Sequence, residues 1–313
     1  MRDEFVNTFL QNAKDNSSLI FLTADLGFGA FDQLEKQLPN QYINVGVAEQ
    51  NMIGVATGLS LEGFKVVAYS IGNFPTLRCL EQIRNDACYH ETNITIVGMG
   101  GGFSYGPLGM SHHTTEDISI MRSLPGMKVL APGTKKEAEF ATSYLLNSHG
   151  VAYLRLDKSF APNKKDFFYS DFKFGQAVVH RDGEDFAIFA MGGILEEALD
   201  ASEKLAQKGI YCRVLSFHTI KPLDGEAIKK AIKETAGILT VEEHNLIGGL
   251  SSAVSEYCML NQIHPKNFKS LALKDEYSSI VGSQKFLRKS YSLDSFTIVE
   301  TINSLVNTFK NKI

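Results

Sequence analysis

Short apolar runs alternate with amphipathic stretches along this 313-residue chain. The runs at 19–23, 42–47, 66–69, 94–97, 128–130 and 151–154 read as strands. Apolar residues recur at three-and-four spacing over 3–12, 48–61, 75–89, 116–122 and 135–147, the mark of helices with one buried face. Runs this apolar, separated by such helices, predict a parallel sheet covered on both sides. After Arg155 the pattern lapses into a polar, proline-containing stretch, 157–166, that reads as a linker. A second series follows, with strands at 186–190, 211–215 and 238–241 and helices at 195–208, 225–235, 250–259 and 293–309. The fold class is therefore α/β, as two consecutive parallel-sheet domains, 1–165 and 166–313, each long enough to hold its own core.

One helix draws the eye for chemistry. The strand at 42–47 breaks at Gly46 and passes into a helix with Glu49 in its first turn. Met52, Ile53 and Ala56 share the face of Glu49, so the carboxylate is desolvated from one side, which raises a carboxyl pKa. A first-turn acid also complements the helix dipole, and these residues alone leave both roles open. Gly54 and Gly58 clear side chains from one stripe, which predicts that another backbone packs closely there.

Composition narrows the function classes. The chain is 44% hydrophobic and 21% charged with a formal charge of −4, which offers no electrostatic case for nucleic acid or an anionic membrane. The N-terminal Met1-Arg-Asp-Glu carries acids where a signal or transit peptide would not, and no apolar run is long enough to span a bilayer. Cys79, Cys88, Cys212 and Cys258 are scattered without a C-x-x-C pair, which suits reduced thiols and a cytoplasmic location.

Gly46-Val-Ala-Glu-Gln50, following a short strand, resembles the cofactor-activating motif of the thiamine-diphosphate enzymes of the transketolase superfamily. Gly192-Gly193, Thr219-Ile-Lys-Pro-Leu-Asp224 and Val241-Glu-Glu-His-Asn-Leu-Ile-Gly-Gly249 resemble the family's C-terminal domain. The resemblance implies a pyrimidine-binding domain followed by a transketolase C-terminal-like domain. The family's diphosphate-binding half, with its Gly-Asp-Gly metal motif, is not in the sequence. The chain thus looks like one subunit of a split enzyme that transfers a two-carbon ketol unit between sugars through a thiamine-diphosphate carbanion. Its implied partner is an N-terminal diphosphate-binding subunit that holds the Mg²⁺, two copies of each chain making the enzyme; this chain would supply no metal ligand.

The resemblance also assigns residues. Glu49 matches the glutamate that hydrogen-bonds the pyrimidine N1′. Phe74 matches the ring-stacking position, with Leu77 and Leu80 where transketolases often carry aromatics; alone, Phe74, Leu77, Leu80 and Ile83 read equally as a helix core face. Asp25 and Leu26, in Thr23-Ala-Asp-Leu26, match residues lying against the cofactor. Gly98-Met-Gly-Gly-Gly-Phe-Ser-Tyr-Gly-Pro-Leu-Gly-Met-Ser-His-His113 resembles the substrate loop, with His112 at the position of a substrate-hydroxyl or proton-transfer histidine. Arg2 and Arg155 match phosphate-contacting arginines, though such arginines serve a carboxylate or a nucleotide diphosphate equally well.

Several positions depart from the family. Leu108 replaces an aspartate that reads sugar hydroxyls, Gly100 a phosphate-binding histidine and Gly29 a serine. These changes predict a substrate unlike the usual phosphorylated ketoses, unless Ser104, Tyr105 or His113 offers a substitute contact. Two enzymatic rivals share the Glu49 motif, the deoxyxylulose-phosphate synthases and the beta subunits of 2-oxo-acid dehydrogenases. Glu81-Gln-Ile-Arg-Asn-Asp86 and the second-domain segments fit split transketolases better. A non-catalytic scaffold of the same fold is the rival of another class, and Glu49, Phe74 and His112 argue against it.

Overall fold

The computed structural model describes residues 1–27, 29–164 and 168–310, so the expected domain boundary at 165/166 lies outside the described residues. The first six strands are β1 (Leu19–Thr23), β2 (Tyr42–Asn44), β3 (Lys65–Ile71), β4 (Ile94–Met99), β5 (Lys128–Leu130) and β6 (Ala152–Leu156). They pair in parallel in the order β5-β6-β4-β3-β1-β2. Every residue of β1, β4 and β6 is buried, as strands covered by helices on both faces must be.

The second half contains β7 (Val178–Arg181), β8 (Phe186–Met191), β9 (Cys212–Ser216), β10 (Thr219–Lys221), β11 (Ile238–Asn245) and β12 (Phe268–Leu273). Five of these form a second sheet, β12-β11-β8-β9-β7, parallel except for β7. β10 leaves that sheet and pairs antiparallel with β5, with Thr219 opposite Leu130. The second half therefore supplies the last strand of the first sheet. Among the described residues no helix is long and apolar enough to cross a membrane.

Two expected elements are shorter than the pattern predicts. β2 stops at Asn44 because that side chain is used in the turn, its Oδ1 accepting from the amides of Asp25 (2.9 Å) and Gly46 (3.0 Å). The helix expected over 75–89 begins only at Leu80 and continues as a π-helical turn, Ile83–Cys88. Pro75 lacks an amide hydrogen, and Thr76 Oγ1 donates instead to the Gly72 carbonyl at 2.5 Å.

An open α/β sheet usually receives its ligand where the strand order reverses, at the carboxyl ends of the strands. In the second sheet that crevice lies between β8 and β11, beside Gly192, Gly193, Glu242, Glu243 and His244. The first domain fills it. Gly193 N donates to Asp157 (2.5 Å), Phe103 N to Glu243, and Arg155 to the Glu243 carbonyl (2.9 Å). Arg288, 2% exposed, donates to Glu243, Glu196 and Ser159 Oγ. Asp157 is buried, so the polar stretch read as a linker begins inside this joint.

The joint makes stability depend on pH in two opposite senses. Burial pushes His244 down to about 4, outweighing the pull of Asp117, and its Nε2 accepts from Ser119 N while its Nδ1 donates to the Asn245 carbonyl. A depressed base contributes stability that is complete above its unfolded pKa of about 6.5 and is lost as pH falls toward 4. Burial raises Glu242 to about 7 despite the Leu250 and Ser251 amides that it accepts. Its contribution has the opposite sign, being lost as pH rises from about 4.5 through 7. We expect His244→Gln to remove up to about 3 kcal/mol of the acid-side loss and Glu242→Gln to flatten the neutral side. Urea unfolding of both variants between pH 4 and 8 checks each sign separately.

Candidate active site

Because β1 to β4 and β6 run parallel, their carboxyl ends lie along one edge of the first sheet, and the strand order reverses between β1 and β3. Asp25 and Leu26 follow β1, Glu49 follows β2, Phe74 and Leu77 follow β3, and the loop bearing His112 follows β4. Asp25 has φ +54°, a strained value for a side-chain-bearing residue, and Asn44 Nδ2 donates to its carboxylate at 3.1 Å. The turn after β1 is thus tied directly to the turn that leads to Glu49.

Glu49 opens the helix Glu49–Leu61 and is 3% exposed. Arg78 Nη1 donates to it at 2.8 Å, and the same guanidinium lies 4.6 Å from the Phe74 ring centroid. A planar cation therefore hydrogen-bonds a buried carboxylate while lying over an aromatic face. A protonated aminopyrimidine asks for the same two contacts. Arg78 is half exposed, so its side chain can leave for water without stranding a buried charge. Cys79 lies alongside, its thiol pushed up to about 12 by burial and by the Glu49 charge.

The row continues away from Glu49. The His112 ring meets Phe74 edge-on at 5.3 Å, and the Tyr105 ring lies 6.5 Å from it. Lys158 Nζ, from the end of β6, sits 3.7 Å from the Tyr105 ring centroid. His113 turns the opposite way into the protein, its Nε2 3.1 Å from the Gly106 carbonyl. Asn73 Nδ2 donates to the carbonyls of Ser111 and His113 and so holds the backbone on either side of His112. Leu77, Leu108 and Met110 are exposed near the rim. Among the described residues, nothing beyond the adjoining backbone of their own helix lies within 4 Å of where a Gly54 or Gly58 side chain would start, so the close contact with another backbone expected of them is not made among the described residues.

Residues 1–163 match the family described as "Transketolase, pyrimidine binding domain", and residues 175–298 match "Transketolase, C-terminal domain". The chain belongs to the transketolase family. It is of the split kind, the subunit that carries these two domains, and it is 35% identical over 303 residues to an apulose-4-phosphate transketolase subunit of Actinobacillus succinogenes, covering 96% of each chain. It is 33% identical to a 6-deoxy-6-sulfo-D-fructose transketolase subunit of a Clostridium species, over 97% of this chain and 94% of the other. A solved structure described as "Split gene transketolase, inactive beta4 tetramer" superposes with TM-score 0.87 at 30% identity, covering 97% of both chains.

Seen as a transketolase-family site, the row brings Glu49, Phe74 and His112 together, with Asp25 and Leu26 on the neighbouring turn. Arg155 does not join it. At 2% exposure it lies between Asp117 and Asp157 and donates to the Glu243 carbonyl, which places it in the domain joint. Arg2 is exposed at the start of the first helix, 3.4 Å from Asp3, and its charge acts on Tyr105 and Lys158. Two residues of the row escaped the sequence reading. Arg78 lies four residues after Phe74, a spacing that brings side chains together, and Lys158 stands in the stretch taken for a linker. Among the described residues no group of three or more His, Cys, Asp or Glu is arranged to hold a metal.

Proposed function

We propose that this chain is the pyrimidine-binding half of a two-subunit ketol transferase. The observation that supports it most is Glu49, a buried carboxylate whose present partner is a planar cation lying over Phe74. Glu49 and Phe74 would hold the aminopyrimidine end of thiamine diphosphate, with Asp25, Leu26 and Leu77 around it. Thiamine diphosphate, when bound, supplies the electron sink for breaking and making the bond beside a ketone. Glu49 shares a proton at the pyrimidine N1′, where a carboxylate shielded from water is most effective. Arg78 must withdraw from Glu49 for this to happen. His112, half-buried beside Phe74, orients or moves a proton at a substrate hydroxyl. The rim, with Leu77, Leu108 and Met110 exposed, is left for a second chain to close against water.

That second chain would carry the Mg²⁺ and diphosphate contacts, two copies of each making the enzyme. The outward glycine stripe of the Glu49 helix, flanked by exposed Val47 and Leu61, offers a surface on which another backbone can lie closely. The relatives named for apulose 4-phosphate and for a sulfonated fructose support sugar donors with unusual hydroxyls or anions. Leu108, which cannot hydrogen-bond a hydroxyl, points the same way.

Reconstitution tests this reading. Purified alone, the chain should show no ketol transfer and no micromolar binding of thiamine diphosphate, even with excess Mg²⁺. Mixed with a diphosphate-binding subunit from the same source, it should transfer two-carbon units from at least one ketose in a donor panel. Micromolar cofactor binding by the isolated chain, or an inert pair across the whole panel, would count against it.

A further inference from the structure

Asn73 stands one residue before Phe74 in the turn after β3, and it is 9% exposed. Its Nδ2 donates to the carbonyls of Ser111, at 3.3 Å, and His113, at 2.6 Å, which flank His112. Facing carbonyls can be met only by donors, so the amide must turn its nitrogen this way. No other hydrogen bond among the described residues joins the 72–78 turn to the 109–114 stretch. The other end of the amide is less well served. Asn73 Oδ1 is buried with no hydrogen-bond partner among the described residues. A leucine fills nearly the same space and would strand nothing, so the amide is held there for its donors. The Asn73 carbonyl accepts from the Leu77 and Arg78 amides, which fixes its own backbone in the turn. Ser111, one of the two residues that Asn73 holds, also brings its Oγ within 3.0 Å of His112 Nδ1. The backbone and the ring of His112 are thus both referred to Asn73.

We propose that Asn73 is a positioning residue, its amide setting the separation between the Phe74 ring and the His112 imidazole, which meet edge-on at 5.3 Å. The proposal rests on the ketol-transfer reading above and deepens it. Phe74 fixes the cofactor ring in that reading, so the neighbouring amide fixes where His112 meets a hydroxyl of the bound sugar. A misplacement of about 1 Å at such a group can cost about a hundredfold in rate. Asn73 acts through His112 and need touch neither cofactor nor substrate.

Asn73→Leu keeps the bulk and removes both donors together with the stranded acceptor. In the assembled enzyme it should lower kcat/KM for the best donor of the panel about thirtyfold. A double-mutant cycle separates positioning from a merely structural role. Because Asn73 acts through His112, adding Asn73→Leu to His112→Ala should cost no more than about twofold further. Additive losses, or no loss from Asn73→Leu alone, overturn the proposal. Should the leucine variant not fold, Asn73→Ser, whose hydroxyl can serve at most one carbonyl, takes its place in the cycle. If the wild-type pair transfers from no donor, the ketol-transfer reading fails separately and the isolated chain decides the matter. Carbethoxylation by diethyl pyrocarbonate, read by mass spectrometry, should then be several-fold faster at half-buried His112 in Asn73→Leu and unchanged at exposed His90. A rate at His112 equal to that of wild type, or a change shared with His90, overturns the proposal.

Discussion

Glu49→Gln is expected to reduce turnover of the assembled enzyme by about two to four orders of magnitude, the usual scale of proton-transfer assistance. Glutamine keeps the size and one acceptor oxygen of Glu49 but cannot share a proton with a ring nitrogen. The fold should barely notice. Arg78, the ion-pair partner, is half exposed and can be solvated when the charge is removed. Thermal unfolding of the variant should therefore fall within a few degrees of wild type while kcat collapses. Near-normal turnover would mean that Glu49 only ties down Arg78. Arg78→Met separates the two roles further: if Arg78 withdraws when the site is filled, its loss should spare kcat far more than the loss of Glu49.

Arg288→Met should be the most destabilising single change at the domain joint. It leaves Glu243, almost fully buried, without its charge partner, and loosens Glu196 and Ser159 as well. Breaking a buried pair from one side costs about 3–5 kcal/mol, a large share of ordinary stability. Glu243 also accepts from Phe103 N and Gln284, so the loss should reach the loop at 98–113 and, on the proposed function, raise KM for every donor alike. Urea unfolding measures the first effect and donor kinetics the second. Adding Glu243→Gln should restore part of the stability, because the stranded charge is gone. A double variant no better than the single one would show that Glu243 is not what Arg288 satisfies.

The central strands of both sheets were legible because burial on both faces writes an uninterrupted apolar run, as in β1 and β4. β7, β10 and β12 left no such trace. They are short or edge strands, and β12 is largely half-exposed, so its residues need not be apolar. At the site, Glu49, Phe74 and His112 could be named because each sits in a local motif beside a predicted strand end. The sequence offers Arg155 as a candidate and passes over Lys158. Both lie at the end of β6, three residues apart, and nothing in the sequence says which one faces the joint and which the open edge. Only the packing of Asp117 and Asp157 around Arg155 decides it.

The pairing of β10 with β5 constrains how such an enzyme can be divided among genes. Within this chain a cut at 165/166 would send β10 away with the second fragment and leave β5 as a bare sheet edge, a template for unwanted association. It would also uncover the buried charges of Arg155, Asp157 and Glu243 on opposite fragments. A chimera that exchanged the second half for that of a distant relative would meet the same difficulty unless the strand and its register came with it. In the proposed two-subunit enzyme, the division between the two halves is one that separate chains would repair by docking; a division inside this chain would break a sheet.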